Sequence, residues 1–143
     1  YIDKKKYNEL MKLYKDYDAA MKDPNQVEVF MKAYNAEGLE REARLASKGK
    51  TTLRKVNKPF HRADFWLVQH DNKWLIFGGR ILKIQAPSFL ADDGTRARNL
   101  MQGIFQLEFG IDFKTVRCAI VNKINQIYEV RTEGKLQLPK IDS

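Results

Sequence analysis

Between residues 48 and 62 the chain carries Lys48, Lys50, Arg54, Lys55, Lys58 and Arg62, with His61 among them and no acidic residue. Such a run makes a local positive potential, and every phosphate it neutralises releases counterions, so its binding to a polyanion would depend on salt. Lys50, Arg54, Lys55, Lys58 and Arg62 are the expected phosphate contacts. Phe60, Phe65 and Trp66 stand beside them, and cations next to aromatic faces are the pairing on which unpaired bases stack. Trp66 is the expected platform, on condition that its ring is exposed. Lys4-Lys5-Lys6 would extend the same field. The bland account of the run is a solvated linker that its lysines keep soluble and extended. No helix-turn-helix, zinc-finger or RNA-recognition signature accompanies it.

Other constellations are weaker. Asp92 or Asp93, Glu108 and Asp112-Phe113-Lys114 loosely match a nuclease arrangement, in which carboxylates bind Mg²⁺ and a lysine helps to activate water. Gly110-Ile111-Asp112 reads as a turn, however, and not as a strand centre. His61, Asp64, His70 and Asp71 match no standard metal spacing. Gly78-Gly79-Arg80 lacks the Lys-Ser/Thr of a phosphate loop. Gly94 with Arg96 and Arg98 reads as a surface loop able to meet an anion. Neither a catalytic residue nor a metal or cofactor is expected.

Composition bounds the class. The chain has 143 residues, 43% hydrophobic and 11% aromatic, enough to bury a core, and 31% charged, enough for a well-solvated surface. With 26 Lys plus Arg against 18 Asp plus Glu, the net charge of +8 favours anionic partners: nucleic acid, an acidic membrane surface or an acidic protein. A single cysteine, Cys118, excludes an intrachain disulfide and a thiolate zinc cluster. Its apolar neighbours make it an inert core thiol, and a cytoplasmic setting is expected. No apolar run has the length of a transmembrane segment, and no signal peptide is recognisable. The chain opens on Tyr1 and not on Met, so a fragment or a processed product is expected.

The elements that must position these residues change texture near Ala63. Tyr7, Leu10, Met11, Tyr14, Tyr17 and Met21, with Leu13 alongside, recur at helical steps and predict a helix over residues 3–22. Asp23-Pro24 is a stop and restart. A second helix is expected over 24–47, weakened by Gly38, its half from Glu37 onward charged and projecting into solvent. Beyond Ala63 come short strands. Phe65 to Gln69 and Lys73 to Phe77 form a hairpin about His70-Asp71-Asn72. Phe65-Trp66-Leu67-Val68 is apolar on both faces, as a strand covered on two sides would be. Both tryptophans read first as core residues, Trp74 more firmly than Trp66. Further strands are expected at Arg80 to Gln85, Leu100 to Phe109 and Thr115 to Val121. Ala86 to Asn99 reads as a loop, with room for a short helix. Gln126 to Arg131 and Lys135 to Leu138 read as a closing hairpin.

The fold class expected is α+β: an N-terminal helical hairpin or arm (residues 1–47), a basic connector (48–62) and a small antiparallel β-barrel-like domain (63–143). The function expected is a non-enzymatic binding module for an anionic partner, nucleic acid first, with low sequence specificity. The alternative is a protein-assembly module, in which the helical arm forms a homo-oligomer or docks a partner helix. A Mg²⁺-dependent nuclease is the third reading.

Overall fold

The computed structural model describes residues 3–42, 50–57, 59, 62–90 and 95–139. Lys48, Lys58, Phe60, His61, Asp92, Asp93 and Gly94 lie outside the described residues.

Helix α1 (Lys4–Lys22) begins where Asp3 accepts hydrogen bonds from the Lys5 and Lys6 amides. It ends at Asp23, whose side chain accepts from the Asn25 amide as α2 (Asn25–Ala33) starts. Leu13, Tyr17, Ala20 and Met21 are the buried face of α1, while Tyr7 and Met11 stay exposed.

The second helix is much shorter than its sequence suggests. Asn35 takes a left-handed φ of 49°, which halts the helix, and residues Glu37–Arg41 form strand β1. Gly38 is a strand residue here. A Cβ on it would stand 2.7 Å from the Ala63 Cβ, so the chain needs glycine for a close approach. The stretch expected as connector holds strand β2 (Thr52–Lys55).

Strands β3 (Phe65–His70) and β4 (Lys73–Gly78) form the expected hairpin, closed by Asp71 and Asn72, both at positive φ. The next segment departs from expectation: Arg80–Leu90 is helix α3, not a strand. Leu82 and Ala86, four residues apart, are both buried, a helical spacing hidden among the neighbouring isoleucines. Helix α4 (Thr95–Met101) falls mostly in the stretch expected as a loop with room for a short helix, and strand β5 (Phe105–Gly110) takes the second half of the strand expected over Leu100 to Phe109. Strands β6 (Lys114–Arg117) and β7 (Ala119–Ile124) share the stretch expected as the next single strand.

Strand β8 (Ile127–Thr132) turns back on β7, and not on β9 (Gly134–Pro139). The expected closing hairpin therefore does not form. Between Thr132 and Gly134 the chain passes from one sheet to the other, because Leu136 and Leu138 are buried beside β5 and β6.

Six strands close an antiparallel barrel in the order β1-β2-β8-β7-β4-β3, and the other three form a sheet in the order β5-β9-β6. The fold is thus the expected α+β mix, with helices before a small barrel. Cross-strand register sets Leu39, Leu53, Phe65, Leu67, Ile76, Val121 and Tyr128 facing inward together. All are buried. The outward residues of β3 and β4, namely Trp66, Val68, Leu75 and Phe77, are covered as well. Tyr17 and Phe30 of the helices lie 5.9 Å and 5.5 Å from Trp66, ring centre to ring centre. The two-sided burial expected for β3 is borne out. The second sheet plugs one end of the barrel, where Phe105 stacks on Phe65 at 6.1 Å.

Candidate functional site

The opposite end of the barrel is open and polar. Going along β3 from Phe65 to Gln69, the interior changes from apolar to hydrogen-bonding. The residues at equivalent height on the other strands are Glu37 of β1, Lys55 of β2, Trp74 of β4, Lys123 of β7 and Tyr128 of β8. Each is the last inward-pointing residue, or nearly the last, of its strand. Strand alternation brings to one rim residues that are far apart in the chain.

This rim bounds a pocket of about 280 Å³ lined by Glu37, Lys55, Leu67, Gln69, Trp74 and Lys123, with Tyr34 and Asn35 reaching in after α2. A second pocket, of about 500 Å³, adjoins it through Lys55 and Lys123 and adds Arg54, Asn125, Gln126 and Tyr128.

The charges are arranged in pairs. Lys55 Nζ lies 3.0 Å from Glu37 Oε1, and this hydrogen-bonded carboxylate holds the ammonium above its usual pKa. Lys123 places its ammonium 5.5 Å from the Trp74 ring centre, a cation–π contact. The Trp74 ring is half-buried and meets Tyr128 edge-on at 5.7 Å. Tyr128 is fully buried, with the Lys55 ammonium as the polar neighbour of its hydroxyl. Burial pushes that phenol's pKa up, and the Lys55 cation beside it pulls it partly back.

The expected phosphate contacts are only partly brought together. Arg54 and Lys55 share the larger pocket, though alternation points Arg54 outward, where it pairs with Glu40 at 2.8 Å. Lys50 precedes β2 at the plugged end and lies 3.4 Å from Glu129. Arg62 lies between β2 and β3 and is exposed. The two ends are separated by the length of a six-residue strand, about 20 Å. Residues 48–62 thus do not present one continuous basic patch among the described residues. Lys6 behaves otherwise. It reaches Asp71 in the β3–β4 turn at 2.9 Å, which brings the N-terminal lysines of α1 to the open end.

Trp66 requires a correction. It is 0% exposed, stacked on Phe30 and edge-on to Tyr17, so it offers no platform for a base. Its position in β3 points it outward beneath the helices, whereas Trp74 points inward at the mouth. Trp66 is thus the core tryptophan, and Trp74, expected as the firmer core residue of the two, is the partly exposed one. Lys123, Gln69 and Tyr128 carry no sequence signal of their own. The turn Asn125-Gln126, with Asn125 at φ 58°, is the one local hint that a hairpin brings Lys123 and Tyr128 level with each other.

The other constellations separate. Glu108 and Lys114 both lie beside Gln137 in the second sheet, Asp112 is exposed in the turn between their strands, and no group of three His, Cys, Asp or Glu is placed to hold a metal among the described residues. Asp71 is engaged by Lys6. Gly79 packs against the Ala63 carbonyl, where a Cβ would stand at 2.2 Å, so it serves packing and not an anion. Arg98 donates to Thr95 within α4. Cys118 is 5% exposed, and burial raises its thiol pKa to about 12. No helix among the described residues is long and apolar enough to cross a membrane. No protein-family model, curated protein or solved structure matches the chain.

Proposed function

We propose that the chain is a non-enzymatic, cytoplasmic binding module for single-stranded nucleic acid, with low sequence specificity, and that the open barrel mouth is its binding face. One observation carries this reading: a half-exposed tryptophan, Trp74, sits at the rim under the ammonium of Lys123, with Lys55 and Arg54 along the same opening. Stacking on Trp74 would hold a base of any identity, and the cations would follow the backbone. Lys4, Lys5 and Lys6 at the start of α1 add to the field at this end. Lys50, at the plugged end, is peripheral to it.

The test is binding of a labelled mixed-sequence oligonucleotide at low and at moderate salt. The reading requires affinity that falls steeply as salt rises. Absence of binding at low salt would leave the +8 charge as a solubilising surface and end the proposal.

The assembly reading loses most of its surface. Leu13, Tyr17 and Met21 pack within the chain, and the Tyr14 hydroxyl accepts the Cys118 amide at 2.9 Å. What remains on α1 is Tyr7 and Met11, one turn apart and about half exposed. If that pair joins two copies, Met11→Lys lowers the mass measured in solution by light scattering.

A further inference from the structure

The mouth is blind. Below Leu67 the barrel is filled by Leu53, Phe65 and Ile76, each fully buried, and Phe105 closes the far end. A chain cannot thread such a barrel, so whatever enters must be a single protruding group that leaves by the same opening. In a duplex the bases are stacked and paired, whereas a single strand can turn one base outward at small cost.

We propose that the smaller pocket takes in one unpaired nucleobase, and that an amino-bearing base is preferred. This rests on the nucleic-acid reading above and names what that site selects.

The residues at the mouth have the chemistry for a planar heterocycle. Trp74 and Tyr34 supply aromatic surface. The amide of Gln69 both donates and accepts along a base edge. Glu37 only accepts, and Lys55 engages its Oε1 at 3.0 Å, so the carboxylate retains capacity for a second donor. An exocyclic amino group is that donor. Cytosine and adenine carry one, while thymine presents a carbonyl in its place. The hydroxyl of Tyr128, buried beside Lys55, adds a polar group to the adjoining pocket.

Lys123 couples the base to its phosphate. Its ammonium occupies a face of Trp74. A base stacking there displaces it outward, toward the backbone that carried the base in. The exchange trades a cation–π contact for a stacked base and a phosphate contact.

The experiment compares oligonucleotides of equal length made of deoxycytidine, of thymidine and of abasic backbone, measured by fluorescence anisotropy. On the wild-type chain the cytidine strand binds about tenfold more tightly than the abasic one, the scale of one base stacked on an aromatic ring. The thymidine strand falls between them. Trp74→Ala abolishes the gap between cytidine and abasic strands while leaving the salt-sensitive affinity for the abasic one, and Trp74→Phe keeps most of the gap. Glu37→Gln, whose amide can also donate, narrows the gap between cytidine and thymidine. Circular dichroism confirms that each variant is folded. Cytidine monophosphate that displaces the cytidine strand extends the site to free nucleotides. If it does not compete while the strand preference persists, the base must arrive on a strand, and base entry is upheld either way. Equal, salt-sensitive binding of abasic and cytidine strands to the wild type overturns base capture and leaves the nucleic-acid reading standing. No binding of any strand overturns both.

Discussion

The Tyr17 hydroxyl donates to the Gly78 carbonyl at 2.6 Å, joining α1 to the end of β4 across 61 residues of sequence. Thr115 donates to the same Tyr17 oxygen at 2.9 Å and accepts from the Gly78 amide at 3.2 Å. The three groups close a ring in which each hydroxyl gives one hydrogen bond and takes one. It lies where the helical arm, the barrel and the second sheet meet, and all three residues are buried. Tyr17→Phe leaves the Gly78 carbonyl without this donor and Thr115 without its acceptor. The expected loss is about 1–3 kcal/mol, read as a lower urea midpoint. Thr115→Val should cost a similar amount. The double variant should cost less than the sum, because both changes break one ring.

Trp66 and Trp74 should separate stability from binding. Trp66→Ala empties a site walled by Phe30, Tyr17 and Phe77, and losses of about 3–5 kcal/mol are typical of such a truncation. Trp74 is half-buried at the rim, so Trp74→Ala should move the urea midpoint less and weaken oligonucleotide binding more. A Trp66 variant that is as stable as wild type but loses binding would reverse the roles assigned to the two rings.

Cations at the two ends of the barrel should differ in effect. Lys55→Gln and Lys123→Gln should each reduce the magnitude of the salt slope for single strands by about 0.7, the contribution of one phosphate contact. Lys50→Gln, at the plugged end, should leave that slope nearly unchanged. Equal effects at both ends would mean that the strand wraps the barrel and does not enter its mouth.

Alkaline pH should destabilise the fold, and Cys118 sets where this begins. Burial raises its thiol from 9.0 to about 12, so the folded chain keeps a proton that the unfolded chain releases. The stabilisation is complete below pH 9 and is lost as pH rises from there toward 12, at no more than about 1.4 kcal/mol per pH unit. Tyr14 and Tyr17, also raised by burial, steepen the decline above their ordinary value of 10.0. Urea midpoints of Cys118→Ala measured against pH should decline less between pH 9 and 10 than those of the wild type.

Much of the architecture was legible where local chemistry and tertiary fate agree. The α1 stripe, the break at Asp23-Pro24 and the β3–β4 hairpin belong to that class. Their periodicity, capping and turn residues all act within a few positions. Strand β1 was illegible for the opposite reason. Glu37-Gly38-Leu39-Glu40-Arg41 offers one inward apolar residue, Leu39, and its charges serve as rim and outer-face partners for β2. A stretch like that reads as a charged helix until the barrel supplies its neighbours. The same holds for the site. Arg54 and Lys55 stand out as a basic pair in sequence, but only closure of β2, β4, β7 and β8 into one ring brings Trp74, Lys123 and Tyr128 beside them. Period-two alternation then decides which aromatic is wetted, and it favours Trp74 over Trp66.

Strand β9 lies between β5 and β6 and pairs in parallel with β5 from Phe105↔Gly134 to Gly110↔Pro139. Neither flanking strand touches the other, so both lack a ladder partner until the ribosome has delivered β9, well after β5 and β6 themselves. The barrel strands are complete at Thr132, a few residues earlier. The second sheet therefore has no ladder until β9 is present, and the Phe105 cover over Phe65 at the barrel floor belongs to that sheet. Slow, long-range pairing of this kind is where a nascent chain most needs protection from its neighbours.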